Sequence, residues 1–206
     1  MDRLAGFAVI IFDANCIIYH CFRVDLKVDA TVVSVTSRFT PHTRQITEKL
    51  IANNQKVTTT QAAFDEVRDC VFNAVEERMS DREVEAQLGY AQGEKVPDQI
   101  KLKVTQSVEK HVRKLQTSTS WFYVDTGFVP DGMALRALKR FFDSQSTATL
   151  GKSKPPSQVD MELINCGSQR QLPLVTNDRG ISNFAEQLIA ARLAFRLHNL
   201  MDIDPR

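Results

Sequence analysis

Apolar positions along the chain follow two rhythms. Ala8-Val-Ile-Ile-Phe12, Trp121-Phe-Tyr-Val124 and Leu172-Pro-Leu-Val175 are short, nearly unbroken runs. Runs without alternation suit strands buried on both faces, as in the middle of a parallel sheet. Elsewhere the apolar residues recur at three and four. Ile46, Leu50 and Ile51 form one such set; Ala63, Phe64, Val67, Val71, Ala74 and Val75 form a second; Ile100, Val104, Val108, Val112 and Leu115 form a third. That spacing gathers them on one face of a helix.

The two rhythms predict strands over 7–12, 56–59, 121–124, 172–176 and 194–197. Helices are predicted over 15–22, 42–53, from Thr59 or Thr60 to about Ala86, over 99–115, from Pro130-Asp131-Gly132 through Phe142, after a capping Ser157, and over 182–191. The segment from Arg23 to Pro41 mixes Val, Thr and Ser and reads as an irregular excursion or as short strands. Gly89–Pro97 and Ser144–Pro156, rich in Gly, Pro and polar residues, read as loops. Strands alternating with helices predict an α/β domain of three layers, α/β/α, around a central mostly parallel sheet. The helices over about 76–117 read as a hairpin inserted into a single domain spanning 1–206, and no internal repeat is visible.

Composition changes this picture little. The chain has 206 residues, 43% apolar and 25% charged, enough for one real core and ordinary for a soluble globular protein. A net charge of +1 neither points to nor excludes a nucleic-acid partner, because clustered basic residues suffice for one. Cys16, Cys21, Cys70 and Cys166 form no CxxC pair, so free thiols in a reducing compartment are expected. His20, His42, His111 and His198 have no mutual spacing that suggests a site. Leu4–Phe12 is too short to span a bilayer, is interrupted by Asp13, and is followed by no small-residue cleavage signal. A cytoplasmic protein without a membrane partner is the expectation.

The candidate chemistry lies in four acids. Asp13 and Asp178 follow apolar strands directly, which puts them at the carboxyl edge, where ligands bind in open α/β sheets. Glu66 lies one to two turns into a helix that follows a strand, and Asp160 lies in the first turn after Ser157. Carboxylates that converge at one edge raise one another's pKa, and a divalent cation removes that penalty. Hard oxygen donors with open positions suit Mg²⁺ or Mn²⁺. Each acid also has a plainer role open to it. Asp13 and Asp160 are good helix caps, Asp178 is an ordinary turn residue, and Glu66 has Asp65 as its rival.

Phe12-Asp13-Ala14-Asn15, Phe64-Asp65-Glu66-Val67-Arg68, Ser157-Gln-Val-Asp160-Met-Glu-Leu-Ile164 and Leu174-Val-Thr176-Asn-Asp178-Arg179 resemble, in order, the four acidic motifs of PIN-domain nucleases. The resemblance covers residues 7–22, 56–75 and 157–197 and leaves the middle of the chain unmatched. It implies an endoribonuclease dependent on Mg²⁺ or Mn²⁺, acting on single-stranded RNA. It implies Asp13, Glu66, Asp160 and Asp178 as metal ligands, with Asn15 and Thr176 orienting carboxylates or water. Many bacterial and archaeal members are toxins, so an antitoxin or other protein partner and a homodimer are further expectations. Arg68, Lys152, Lys154 and Arg179 are candidates for neighbouring phosphates, against the plainer reading of solvated surface charges.

Three alternative readings stand beside this one. A haloacid-dehalogenase-type phosphatase needs a second aspartate two residues after the first, and Asn15, which stands there, has no carboxyl proton to donate. A P-loop at Gly151-Lys152-Ser153 lacks its earlier glycine, Ser146 being in that place. A PIN-like domain used only for binding or assembly has no need of mutually repelling acids.

Overall fold

Strand β1 (Val9–Phe12) sends Ile10 and Phe12 into one hydrophobic cluster and Ile11 into another. A strand that is apolar on both faces must be covered on both, and the layers of the fold follow from this requirement. The computed structural model describes residues 2–28, 31–79, 86–91, 94, 96–145 and 155–205. Its main sheet is wholly parallel, in the order β5-β4-β1-β6-β7, with β4 at Lys56–Thr60, β5 at Phe122–Asp125, β6 at Pro173–Thr176 and β7 at Arg196–Asn199. Register pairs Ile11 with Thr58 and Leu174, and Thr176 with Asn199, so the carboxyl ends lie along one edge. A separate antiparallel pair joins β2 (Arg23–Val28) to β3 (Thr31–Thr36). This is the three-layer α/β/α arrangement that the alternation of runs and helical faces predicts.

One layer is built from α1 (Ala14–Cys21), α2 (Thr40–Ala52), α3 (Gln61–Met79) and α4 (Asp98–Ser118), whose buried faces supply the larger cluster. The other comprises α5 (Gly132–Asp143), α6 (Gln158–Arg170), α7 (Arg179–Ser182) and α8 (Ala185–Ala190). Helix α6 lies close on the sheet because position 167 is glycine. A Cβ there would stand 3.1 Å from the Leu172 carbonyl and 3.7 Å from Ile11. Helix starts are set by local chemistry. Asp131 accepts from the Met133 N–H at 2.8 Å, and Ser157 and Asp160 form a reciprocal capping box.

Two segments differ in detail from the expectation. The Val/Thr/Ser stretch after α1 is the β2–β3 hairpin, in which Val24 opposes Val35 and Leu26 opposes Val33, with Val24, Leu26 and Val35 buried and α4 packed against β2. The helix expected over 182–191 is two short helices. The chain turns between them at Phe184, whose ring is buried and whose N–H bonds the Ile181 carbonyl at 3.0 Å. In the span 76–117, α4 buries Val104, Val108 and Val112 in the larger cluster beside α1 and α3, so this helix shares the main core. Residues 80–85, 92, 93 and 95 of that span lie outside the described residues. No described helix is long and apolar enough to cross a membrane.

His20, on α1, is held edge-on to Trp121 at 5.1 Å, and its Nδ1 has no partner among the described residues. Burial, with help from Arg44 and His111, pushes its pKa down to about 4. The unfolded chain therefore takes up a proton before the folded one does. Stability held above pH ~6.5 is lost as pH falls toward 4.

Two measurements check this account of the core. Val108→Ala deletes two buried methyl groups and should cost about 2 kcal/mol, read as a lower urea midpoint at unchanged slope; an unmoved midpoint would place α4 outside the core. In the same assay the native protein should lose roughly 3 kcal/mol more than His20→Phe between pH 7 and pH 4. Equal losses would show that His20 is not held neutral.

Candidate active site

Phe12 ends β1 and leaves the Asp13 carboxylate at the carboxyl edge, 3% exposed. An isolated charge so placed is costly, so its hydrogen bonds decide whether it is tolerated. Oδ1 accepts from the Cys16 N–H at 2.7 Å, which caps α1. Oδ2 accepts the Thr176 hydroxyl and, at 3.2 Å, the Asn177 N–H. Thr176 thus holds the carboxylate, and its Oγ1 in turn accepts the Asp178 N–H at 2.9 Å. These bonds lower the proton affinity of Asp13, but burial outweighs them and its pKa stands above the usual carboxylate range.

The other acids come from other elements. Asp178 caps the short α7, its Oδ1 accepting from the Gly180 N–H at 2.6 Å. Asp160 sits at the third position of α6, its Oδ2 accepting from the Ser157 N–H at 2.7 Å while Ser157 Oγ accepts from the Asp160 N–H. Glu66 is half-buried near the start of α3. Burial raises the pKa of Glu66, and the charges of Asp160 and Asp13 raise it further. Asp178 is raised by burial and again by Asp160, partly offset by the Gly180 N–H. Asp160 also acts on Asp13. Asp160 is therefore coupled to each of the other three acids, and Asp13 also to Glu66. Among the described residues, however, no three His, Cys, Asp or Glu side chains stand close enough to hold a metal ion.

Among the described residues, Asp160 and Asp178 divide their oxygens between a backbone N–H and none, Asp13 has both taken, and Glu66 has neither. Asp13, Asp160 and Asp178 each turn at least one oxygen to a backbone N–H of their own or a neighbouring turn. Asp160 Oδ1, Asp178 Oδ2 and both Glu66 oxygens accept no hydrogen bond among the described residues. The donor set is all oxygen and carries excess negative charge, which fits a hard divalent cation.

The remaining candidates are placed as follows. Asn15 is the second residue of α1 and half-buried. Arg68 is exposed and pairs with Asp65 at 3.3 Å, and Arg179, also exposed, opens α7. Lys152 and Lys154 lie outside the described residues. Sequence reasoning did not single out Asn177, whose N–H meets Asp13 and whose Nδ2 meets the Tyr19 hydroxyl at 3.3 Å. Its place between Thr176 and Asp178 is the one signal that could have found it. The buried thiols of Cys16 and Cys21 resist ionisation. Burial and the Asp13 charge raise Cys16 well above its usual value, and burial pushes Cys21 up to about 12.

Compared with known protein families and with curated proteins, the chain matches no family model and no individual protein.

Asp160→Asn keeps an oxygen for the Ser157 N–H and removes the shared charge. Carboxyl ¹³C titrations should then show Asp13, Glu66 and Asp178 all titrating at lower pH than in the native protein. Unmoved midpoints at two or more of them would mean the acids do not share one pocket.

Proposed function

We propose that the protein is a phosphodiesterase acting on single-stranded RNA, dependent on Mg²⁺ or Mn²⁺ bound among Asp13, Glu66, Asp160 and Asp178. One observation carries this reading: Asp160 raises the proton affinity of three acids drawn from three other elements, all at the edge where the parallel strands end. Topology supports the same reading, since open α/β sheets bind ligands outside the carboxyl ends of their strands. The resemblance to PIN-domain nucleases supplies the choice of RNA, by analogy.

A bound divalent cation would supply charge for a phosphate oxygen and acidify an attacking water. The chain's own groups do the rest. Thr176 and the Asn177 N–H hold the Asp13 carboxylate in one orientation. Gly180 and Ser157 fix Asp178 and Asp160 in the same way. Glu66, with raised proton affinity and no hydrogen bond on its oxygens among the described residues, accepts the proton of the attacking water. Water adds to phosphorus, the bond to the 3′ oxygen breaks, and that oxygen takes a proton from solvent. Arg179, exposed beside Asp178, meets an adjacent phosphate. An antitoxin-like protein partner and a homodimer belong to the same proposal through the resemblance, as does a cytoplasmic setting.

A second reading has its own observation. Three of the four acids cap helices, and no described cluster is close enough to ligate a metal. On this reading the domain is a binding scaffold. The two differ in what a cation does to the fold.

Mn²⁺ at about a hundredfold excess over its Kd should raise the melting midpoint by roughly 5–10 °C. Asp13→Asn should abolish that rise, and Asp13→Asn or Asp178→Asn should remove cleavage of a single-stranded ribo-oligonucleotide while the circular dichroism stays native. A midpoint indifferent to Mn²⁺ would leave the scaffold reading standing.

A further inference from the structure

Asn177 ties Asp13 to a second feature. Its Nδ2 donates to the Tyr19 hydroxyl, the Tyr19 ring lies against Phe39 at 4.7 Å between centroids, and Arg38 Cζ stands 4.5 Å over the Phe39 ring. A chain of contacts thus runs from the buried carboxylate to an exposed guanidinium. Tyr19 is buried, Phe39 half-buried and Arg38 exposed. Among the described residues no carboxylate pairs with Arg38.

The turn that carries these side chains is fixed on both flanks. Before it, the Thr36 N–H donates to Gln87 Oε1 at 2.8 Å, and Gln87 Nε2 donates to the Thr36 carbonyl at 3.3 Å. After it, Thr40 Oγ1 meets Ser37 Oγ at 2.9 Å and donates to the Phe22 carbonyl at 3.1 Å. The turn also lies at the carboxyl edge. His42, in the first turn of α2, meets the Leu200 carbonyl at 2.9 Å, just beyond Asn199, which pairs with Thr176 in the sheet.

We propose that Arg38 and Phe39 form a stacking ledge beside the acidic edge, holding one nucleobase of a single-stranded nucleic acid next to the phosphodiester that the acids receive. This rests on the hydrolytic reading for its substrate class. The chemistry matches. A planar cation held over an aromatic ring offers a flat face to any base and donors to the neighbouring phosphate. As a structural device the pair has little to contribute, since an exposed cation over a ring adds well under the stability of a core contact. Rigidity of the turn means that little side-chain and backbone freedom is lost when a base arrives.

The test uses the full chain, a short fluorescent oligouridine, and the same oligomer carrying one abasic position. Anisotropy titrations in EDTA give Kd, and Mn²⁺ assays give kcat and KM. Phe39→Leu and Arg38→Ala should each raise Kd about tenfold and erase the preference for the intact oligomer over the abasic one. Arg38→Lys should keep the salt dependence and lose that preference. KM should rise with kcat unchanged. Unaltered Kd and unaltered abasic discrimination in both variants would overturn the ledge; Arg38→Ala, at an exposed position, serves even where Phe39→Leu misfolds. If the native protein binds the oligomer and cleaves nothing with Mn²⁺, the hydrolytic reading fails and the Kd comparison alone upholds or overturns the ledge. No binding by the native protein overturns the ledge, while cleavage with Mn²⁺ decides the hydrolytic reading separately.

Discussion

The burial of one carboxylate organises this edge of the molecule. Asp13 follows a strand that is covered on both faces, so water cannot satisfy it and the surrounding chain must. Three donors do so, from the first turn of α1, the last residue of β6 and the turn after it. The same three bonds fix where α1 starts and how the β6–α7 turn is shaped. Asp178 inherits its position from that turn, since its N–H bonds the Thr176 hydroxyl that serves Asp13. The distance in sequence between residues 13 and 178 is closed by the pairing of β1 with β6, and the hydrogen bonds to Asp13 set the turn beyond it.

The layers were legible because their signals are local. Unbroken apolar runs marked β1, β5 and β6, and three-four spacing marked α2, α3 and α4. Ser157 and Asp160 announced the start of α6 through a capping box that needs only neighbours in sequence. The β2–β3 hairpin was harder to read. Its alternation is short, no Asn-Gly or Asp-Gly turn flags it, and its buried face is covered by α4, far along the chain. Periodicity likewise showed that α4 hides one face, but not that the face joins the main core. The break at Phe184 has a tertiary cause too, a ring drawn into the second cluster.

At the site, sequence could place acids at strand ends and helix starts, because those positions follow from element boundaries. It could not show which oxygens of each carboxylate are taken. Asp160 lies in the first turn of α6 whether it caps, ligates or does both, and only geometry reveals that Oδ2 is taken by Ser157. Nor could it reveal Asn177 as the bridge to Tyr19, since that link joins residues far apart in sequence through one amide.

Capping alone does not explain Asp13. A serine at that position would accept the Cys16 N–H as well, without placing a charge in a dry pocket. The raised pKa says that burial outweighs the hydrogen bonds, so ionising the group costs more in the folded chain than in the unfolded one. The sign follows from linkage: its stabilising contribution is complete below the unfolded value of 3.8 and is lost as pH rises through the folded one. Glu66 and Asp178 carry the same sign, and Asp160 adds to all three. Three acids whose ionisation is opposed by burial and by a fourth are poorly suited to structure alone. A positive charge at that edge would offset the contribution of Asp160 to all three, and that is the physical reason for proposing a cation-dependent site there rather than a row of helix caps.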